Sequence, residues 1–248
     1  MLANAGAKSR VNSCSSYSPR DFSGTFWFDI GRNGFGILGD PTSFTMNKQT
    51  YLLLLACLLS TTAAALGGVN PGDEAPAFTL EGADGDRHNL SYYSGMYVVL
   101  EWCNHACTDV QTLYASGNIQ ATQETQTAQG VVWLSILSSA PGKPGYATPE
   151  QALGTAKACG SDATEILLDP TGKVGKAYGA TRTPEIFIIN PEGDVFYHGA
   201  FDHSPSTAPT GIKKPTNYVS TAIAEAKSGK PVSQAKTELH GCQIQYRD

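Results

Sequence analysis

The chain has little of what would place it in a special class. Only 16% of its 248 residues are charged, and 22 Asp and Glu slightly outnumber 17 Lys and Arg, for a formal net charge of −5. Without a basic excess there is no electrostatic footprint for nucleic acid or an anionic membrane surface, so neither is expected as a partner. Six cysteines are too few to staple a chain this long into a disulfide scaffold. There is no internal repeat, which excludes a solenoid or a propeller. No apolar run reaches the ~20 residues that a spanning helix needs. What remains is 41% hydrophobic, enough for an ordinary soluble core. At ~150 residues per domain the length allows one or two domains.

The first quarter does not read as folded domain. Residues 1–45 are rich in Ser, Gly, Asn and Arg and show no sustained helical or strand period, so they are taken as a non-native or disordered leader. A new beginning stands at Met46. Lys48 leads into the apolar run 51–59, and Thr61, Thr62, Ala63, Ala64 and Ala65 follow. A basic start, an apolar middle and a small-residue end describe a secretory signal over 46–65, cleaved after about Ala65. The product is then exported, to a periplasm or beyond the cell. Because the run is short, cleavage ranks above a retained signal anchor, and no stable membrane insertion is expected. Leu54, Leu55, Ala56 and Cys57 have the shape of a lipobox, but the apolar run continues past Cys57, so a lipid anchor ranks below cleavage. Cys14 lies in the leader and is given no role.

From Val69 the pattern changes. Residues 97–102, 131–136 and 186–189 are continuous apolar or β-branched runs, the signature of strands buried on both faces. Shorter strands are expected at 77–80 and 165–168. Residues 108–129 suit a helix broken at Gly117, and 149–158 suit one with Pro149 in its first turn and Gly160 as its stop. Asn190, Pro191, Glu192 and Gly193 form a hairpin turn into the strand 194–199. Strands alternating with helices, then a closing hairpin, predict an α/β domain over 70–205: a central mixed sheet with helices on both faces. Residues 206–248 follow as a surface helix near 217–228 and a polar tail that carries Cys242.

The chemistry gathers at Trp102-Cys103-Asn104-His105-Ala106-Cys107, between a strand and a helix. A cysteine that opens a helix faces unpaired backbone N–H groups and the positive end of the dipole. Both favour the thiolate, which is the nucleophile, and lower the pKa from the free value of ~8.5. Cys107 holds that place, and Cys103 lies four residues before it. Thr183-Pro184, just ahead of an inner strand, is the second element: a cis bond there would set a backbone edge beside the cysteine loop. His105 reads equally as a solvated loop residue or a modulator of a thiol. Cys159, beside Gly160, reads as a half-buried passenger, and His203 as a surface histidine.

Taken together, the strand–Trp-Cys…Cys–helix order, the later Thr-Pro and the final hairpin resemble the thioredoxin superfamily over residues 71–202. More narrowly, Leu100, Glu101, Trp102, Asn104, His105 and Cys107 resemble a bacterial redoxin group related to the alkyl hydroperoxide reductase and thiol-specific antioxidant proteins. So do residues 130–135, 139–142, 217–219 and the ending Gly241, Cys242, Ile244 and Tyr246. The resemblance implies a thioredoxin fold, with Cys107 as the attacking thiolate and Cys242 as the group's second recurring cysteine. It departs at Thr108, where the group has Pro, and at Asn104, where peroxiredoxins have Thr. Pro184 stands about where they have an active-site Arg, with Arg182 nearby.

The leading expectation is therefore a thiol–disulfide oxidoreductase or a thiol peroxidase-like redoxin. Cys107 attacks, Cys103 or Cys242 resolves, and Trp102, Asn104, Thr183 and Pro184 orient the substrate. A permanent Cys107–Cys242 cross-link stands open beside that role for Cys242. A protein disulfide or a peroxide is the implied substrate and an unidentified thiol the reductant, with no cofactor and no metal. Two alternatives remain: a copper(I)-binding chaperone-like protein using Cys103 and Cys107, whose soft sulfurs suit that ion, or a redox-silent adaptor that has kept the fold.

Overall fold

Runs of Val, Leu, Ile, Trp and Phe become strands here because each strand is covered on both faces. The computed structural model describes residues 68–203 and 216–247. The leader, the signal segment, Cys14 and Cys57 lie outside the described residues. In chain order the elements are β1 (Thr79–Gly82), β2 (Arg87–Asn89), a 3-10 turn (Leu90–Tyr93), β3 (Val98–Trp102), α1 (Thr108–Ala115), α2 (Asn118–Thr127) and β4 (Val132–Leu137). They continue with α3 (Pro149–Cys159), β5 (Glu165–Leu168), α4 (Lys173–Tyr178), β6 (Arg182–Thr183), β7 (Glu185–Ile189), β8 (Val195–Gly199), α5 (Tyr218–Lys227) and β9 (Cys242–Gln243).

Seven strands form one mixed sheet in the order β2-β1-β5-β4-β3-β7-β8. Its centre, β3, β4 and β5, is parallel, and β7 and β1 flank it antiparallel. Every residue of β3, β4 and β7 is buried. Val98, Leu100, Trp102, Leu134, Ile136 and Phe187 pack on one face against Val174 and Tyr178 of α4. Val99, Trp133, Ile186 and Ile188 pack on the other against α1, α2 and α5. Helices thus cover both faces of an α/β thioredoxin fold. Truncating one of these side chains, such as Phe187→Ala, would cost about 3–5 kcal/mol.

Local chemistry sets the helix ends. Gly117, at φ 74°, separates α1 from α2 in a left-handed conformation that side chains resist. Thr148 and Gln151 close a reciprocal capping box on α3, with Pro149 at its start and Gly160 as its left-handed cap.

The segment that reads as a polar tail is docked. Strand β9 pairs antiparallel with β6, bringing Cys242 opposite Thr183 and Gln243 opposite Arg182. Ile244 is buried in the sheet's core. Tyr246 donates to the Ala180 carbonyl at 2.8 Å, and its ring occupies the space a Cβ would need at Gly172 and Gly175. Among the described residues, no helix is long and apolar enough to cross a membrane.

Candidate active site

Strand β3 ends at Trp102, and the next five residues cross from the sheet to α1. Asn104 shapes that crossing. It is buried, its Oδ1 accepts from Ala106 N at 2.8 Å, and its own carbonyl accepts from Cys107 N at 2.9 Å. The result places Cys107 as the residue that caps α1, in extended conformation, ahead of the helix's unpaired N–H groups.

Cys107 is joined to Cys242 in a disulfide whose Cα atoms lie 5.7 Å apart. The pairing follows from β6 and β9. Thr183 O lies 3.2 Å from Cys107 Sγ, and Cys242 N donates to the same sulfur at 3.3 Å. The Thr183–Pro184 peptide bond is cis, and its backbone lies at the cysteine loop. Gly241, at φ 107°, lets the tail approach: a Cβ there would collide with the Thr183 carbonyl. Cys107 is 1% exposed, whereas Cys242 is only partly buried.

Cys103 is not in that pair. It is a free, buried thiol at the strand end. Its Sγ lies 3.8 Å from Nε2 of His105, whose Nδ1 is 3.9 Å from Sγ of Cys159, so the imidazole stands between two free cysteines. Below it lies Glu101, fully buried. The Glu101 carboxylate accepts from Trp133 Nε1 at 2.7 Å, Ser135 Oγ at 3.0 Å, Tyr114 OH at 3.2 Å and Gln123 Nε2 at 3.2 Å. Burial raises the Glu101 pKa, against these hydrogen bonds, which lower it. Burial also pushes the Cys103 thiol well above its ordinary value, and the neighbouring Glu101 charge adds to the effect. His105 is shifted the opposite way, downward, because burial disfavours its cation.

The profile of the AhpC/TSA family matches residues 71–198. The chain belongs to the AhpC/TSA family. A candidate peroxiredoxin of Mycobacterium tuberculosis is 31% identical over 125 residues, which cover 50% of this chain and 73% of that one. Among solved structures, a hypothetical protein of Sinorhizobium meliloti 1021 matches 73% of this chain and 97% of its own, at 24% identity and a TM-score of 0.64. An uncharacterized conserved protein of Geobacillus kaustophilus matches 71% and 92%, at 26% identity and a TM-score of 0.63.

Within this AhpC/TSA domain, the orienting residues expected from sequence separate into two groups. Asn104, Thr183 and Pro184 surround the Cys107 loop. Trp102 is packed into the core. It is fully buried against Tyr178 and Phe187, and its Nε1 donates to Ser138 Oγ at 3.1 Å, so it supports the loop from beneath. Arg182 is exposed and donates through Nη1 to the Gly241 carbonyl at 2.9 Å, fastening the tail. Cys159 is half-buried, as expected, but adjoins His105. His203 is exposed, with Nδ1 2.8 Å from Tyr218 OH.

Sequence reasoning passed over a buried Glu–His pair behind the cis proline. Glu185 Oε1 lies 2.7 Å from His198 Nε2, and Glu185 Oε2 accepts from the backbone N–H groups of Thr181 and Arg182 at 2.8 and 2.9 Å. The pair fixes the backbone that β9 joins. An acidic residue directly after Pro184, opening an otherwise apolar run, was its signal.

Proposed function

We propose that this AhpC/TSA protein is an exported two-cysteine thiol oxidoreductase, in which Cys107 attacks and Cys242 resolves. The observation that carries the reading is the link from the helix-start Cys107 to the more exposed Cys242. The site supports both half-reactions. In reduction, a thiolate of the reductant attacks Cys242 Sγ. The Cys107–Cys242 bond breaks, a mixed disulfide forms at Cys242, and Cys107 leaves as a thiolate before the α1 N–H groups and Cys242 N. A second reductant thiol then releases Cys242 and departs oxidised. In oxidation, the Cys107 thiolate attacks a substrate disulfide and expels one sulfur. Cys242 attacks Cys107, expels the other and restores the bond. Export rests on the basic, apolar and small-residue order of residues 48–65.

One observation favours a second oxidant. Cys107 is nearly inaccessible, which suits a hydroperoxide better than a protein. The thiolate would then take the distal oxygen, the alcohol would leave, and the sulfenic acid would condense with Cys242 and lose water. Disulfide exchange is placed first, because the polar groups that meet Cys107 Sγ are backbone ones, Thr183 O and Cys242 N, and Arg182 serves Gly241. The copper reading lacks its second sulfur in this state, since Cys107 is committed to Cys242.

Equilibration in thiol redox buffers, with the Cys107 and Cys242 peptides quantified by mass spectrometry, tests the proposal. A reversible transition above about −300 mV supports a working redox pair, and a lower one means a structural cross-link. Re-oxidation of the reduced protein by glutathione disulfide and by hydrogen peroxide, compared at equal concentration, ranks the two oxidants.

A further inference from the structure

A cluster on the far side of the sheet is independent of the cysteines. Strands β1 and β2 form a hairpin whose turn carries Asp84 and leads to His88. Strand β5 pairs with β1, and Ala83 N donates to Ile166 O at 2.8 Å, which brings Glu165 alongside the turn. His88 Nε2 lies 3.6 Å from Asp84 Oδ1 and 3.9 Å from Glu165 Oε2. One donor atom from each of the three residues lies within 4.8 Å of the others.

We propose that Asp84, His88 and Glu165 form a binding site for a divalent transition-metal ion of the zinc class, pinning the β1–β2 hairpin to β5. Three features support this. First, His88 Nε2 is shielded from solvent and has no hydrogen-bond partner. Nδ1 lies 2.9 Å from the Tyr93 hydroxyl. A proton held on Nδ1 and donated to Tyr93 leaves the Nε2 lone pair aimed between the two carboxylates, the arrangement in which an outer partner fixes a metal-binding imidazole. Second, the floor is bare. A Cβ at Gly82 would collide with Asp84 Oδ1 and with His88 Nε2, so the glycine leaves these two groups room to face each other. Third, the spacing suits bonds of about 2.0–2.2 Å, which in a tetrahedron set ligand atoms ~3.3–3.6 Å apart. The two distances from His88, 3.6 and 3.9 Å, lie within a few tenths of an ångström of that range.

One imidazole and two carboxylates suit zinc, manganese or iron(II) and not copper(I). Three protein ligands leave a position for water. Two carboxylates face the one imidazole, so the site brings together negative charge that a divalent ion would offset. The competing occupant is a proton on His88, pairing with both carboxylates. No close-spaced sequence motif marks this site, because the third ligand comes from a different strand.

Titration of the metal-stripped full chain with zinc, in competition with a chromophoric chelator, decides between them. One equivalent should bind. His88→Gln or Glu165→Gln should weaken binding by about a hundredfold, and Tyr93→Phe by about tenfold, as loss of an outer-shell partner does. Cobalt(II), used as a spectroscopic probe, should show nitrogen–oxygen coordination without a sulfur charge-transfer band. Cys103→Ser with Cys159→Ser should leave affinity unchanged. The more exposed Glu165 guards against a His88 variant that does not fold, and circular dichroism checks each variant. Lack of binding, a sulfur band, or affinity indifferent to Glu165→Gln and His88→Gln would each overturn the site.

Discussion

Cys103 and Cys107 are four residues apart and could hardly be placed more differently. Cys107 opens a helix, with a backbone N–H from Cys242 on its sulfur and a partner within bonding reach. Cys103 ends a strand above a buried carboxylate, with its thiol pushed far up by burial and by that charge. The same side chain meets groups that favour a thiolate in one place and a buried charge that disfavours one in the other. The lesson is that spacing between cysteines predicts little until one knows which backbone groups each sulfur meets.

The comparison breaks most completely at Cys107. Cys107→Ser should reduce disulfide-exchange turnover to background, on the order of 10³-fold or more. Cys242→Ser should instead trap Cys107 in a mixed disulfide or as a sulfenic acid, visible as a mass increment on its peptide. If Cys242→Ser turns over normally, the resolving role passes elsewhere.

Gly241→Ala is expected to act next. Its Cβ would meet the Thr183 carbonyl, in a conformation at φ 107° that Ala resists, and push β9 off β6. Stopped-flow re-oxidation should show Cys107–Cys242 closure slowed by about tenfold, with a stability loss of ~1–3 kcal/mol. Alkylation of reduced Cys107 should not slow. Unchanged closure would mean that the tail reaches Cys107 without this register.

Glu101→Gln sharpens the Cys103 side. Because the folded-state pKa of Glu101 is raised, its contribution to stability is fully present below the ordinary value of 4.5. It is lost as pH rises through the elevated one. Melting temperatures from about pH 4 upward should fall for the parent chain, and the fall should be flatter for Glu101→Gln. The carboxamide can keep its oxygen toward Trp133 and Ser135 and donate to Tyr114 OH. Parallel pH curves for the two proteins would remove the buried charge from the account.

The smallest effect belongs to Cys103→Ser. Turnover should change less than about twofold, because the high thiol pKa leaves almost no thiolate near neutral pH. A large loss of turnover, with normal folding, would restore Cys103 as the resolving group.

Much of this was legible beforehand. The strands β3, β4 and β7 announce themselves because continuous apolar runs bury both faces, and Gly117, Pro149 and Gly160 mark helix ends through backbone preferences that are strictly local. β2, α4, β6 and β9 carry no such mark. They are two to six residues long, and β6 and β9 exist only because the tail returns from far along the chain. The site divides in the same way. A cysteine before a helix and a Thr-Pro before a strand are local signals. The imidazole between Cys103 and Cys159 depends on where the end of α3 lands, 54 residues beyond His105. Glu101 looked like part of a motif, but its burial is completed by Trp133 and Ser135, on the neighbouring strand.

The ladder between β6 and β9 has only two residue pairs. A pull on the chain beyond residue 242 falls first on the Tyr246 ring and on Ile244, in either redox state. In the oxidised protein, what then reaches Cys242 passes through a covalent bond into the start of α1, whereas once the sulfurs separate it meets that short ladder. The protein is therefore a fastening whose breaking load depends on its electron count, stopped at Cys242 when oxidised and free to peel past it when reduced.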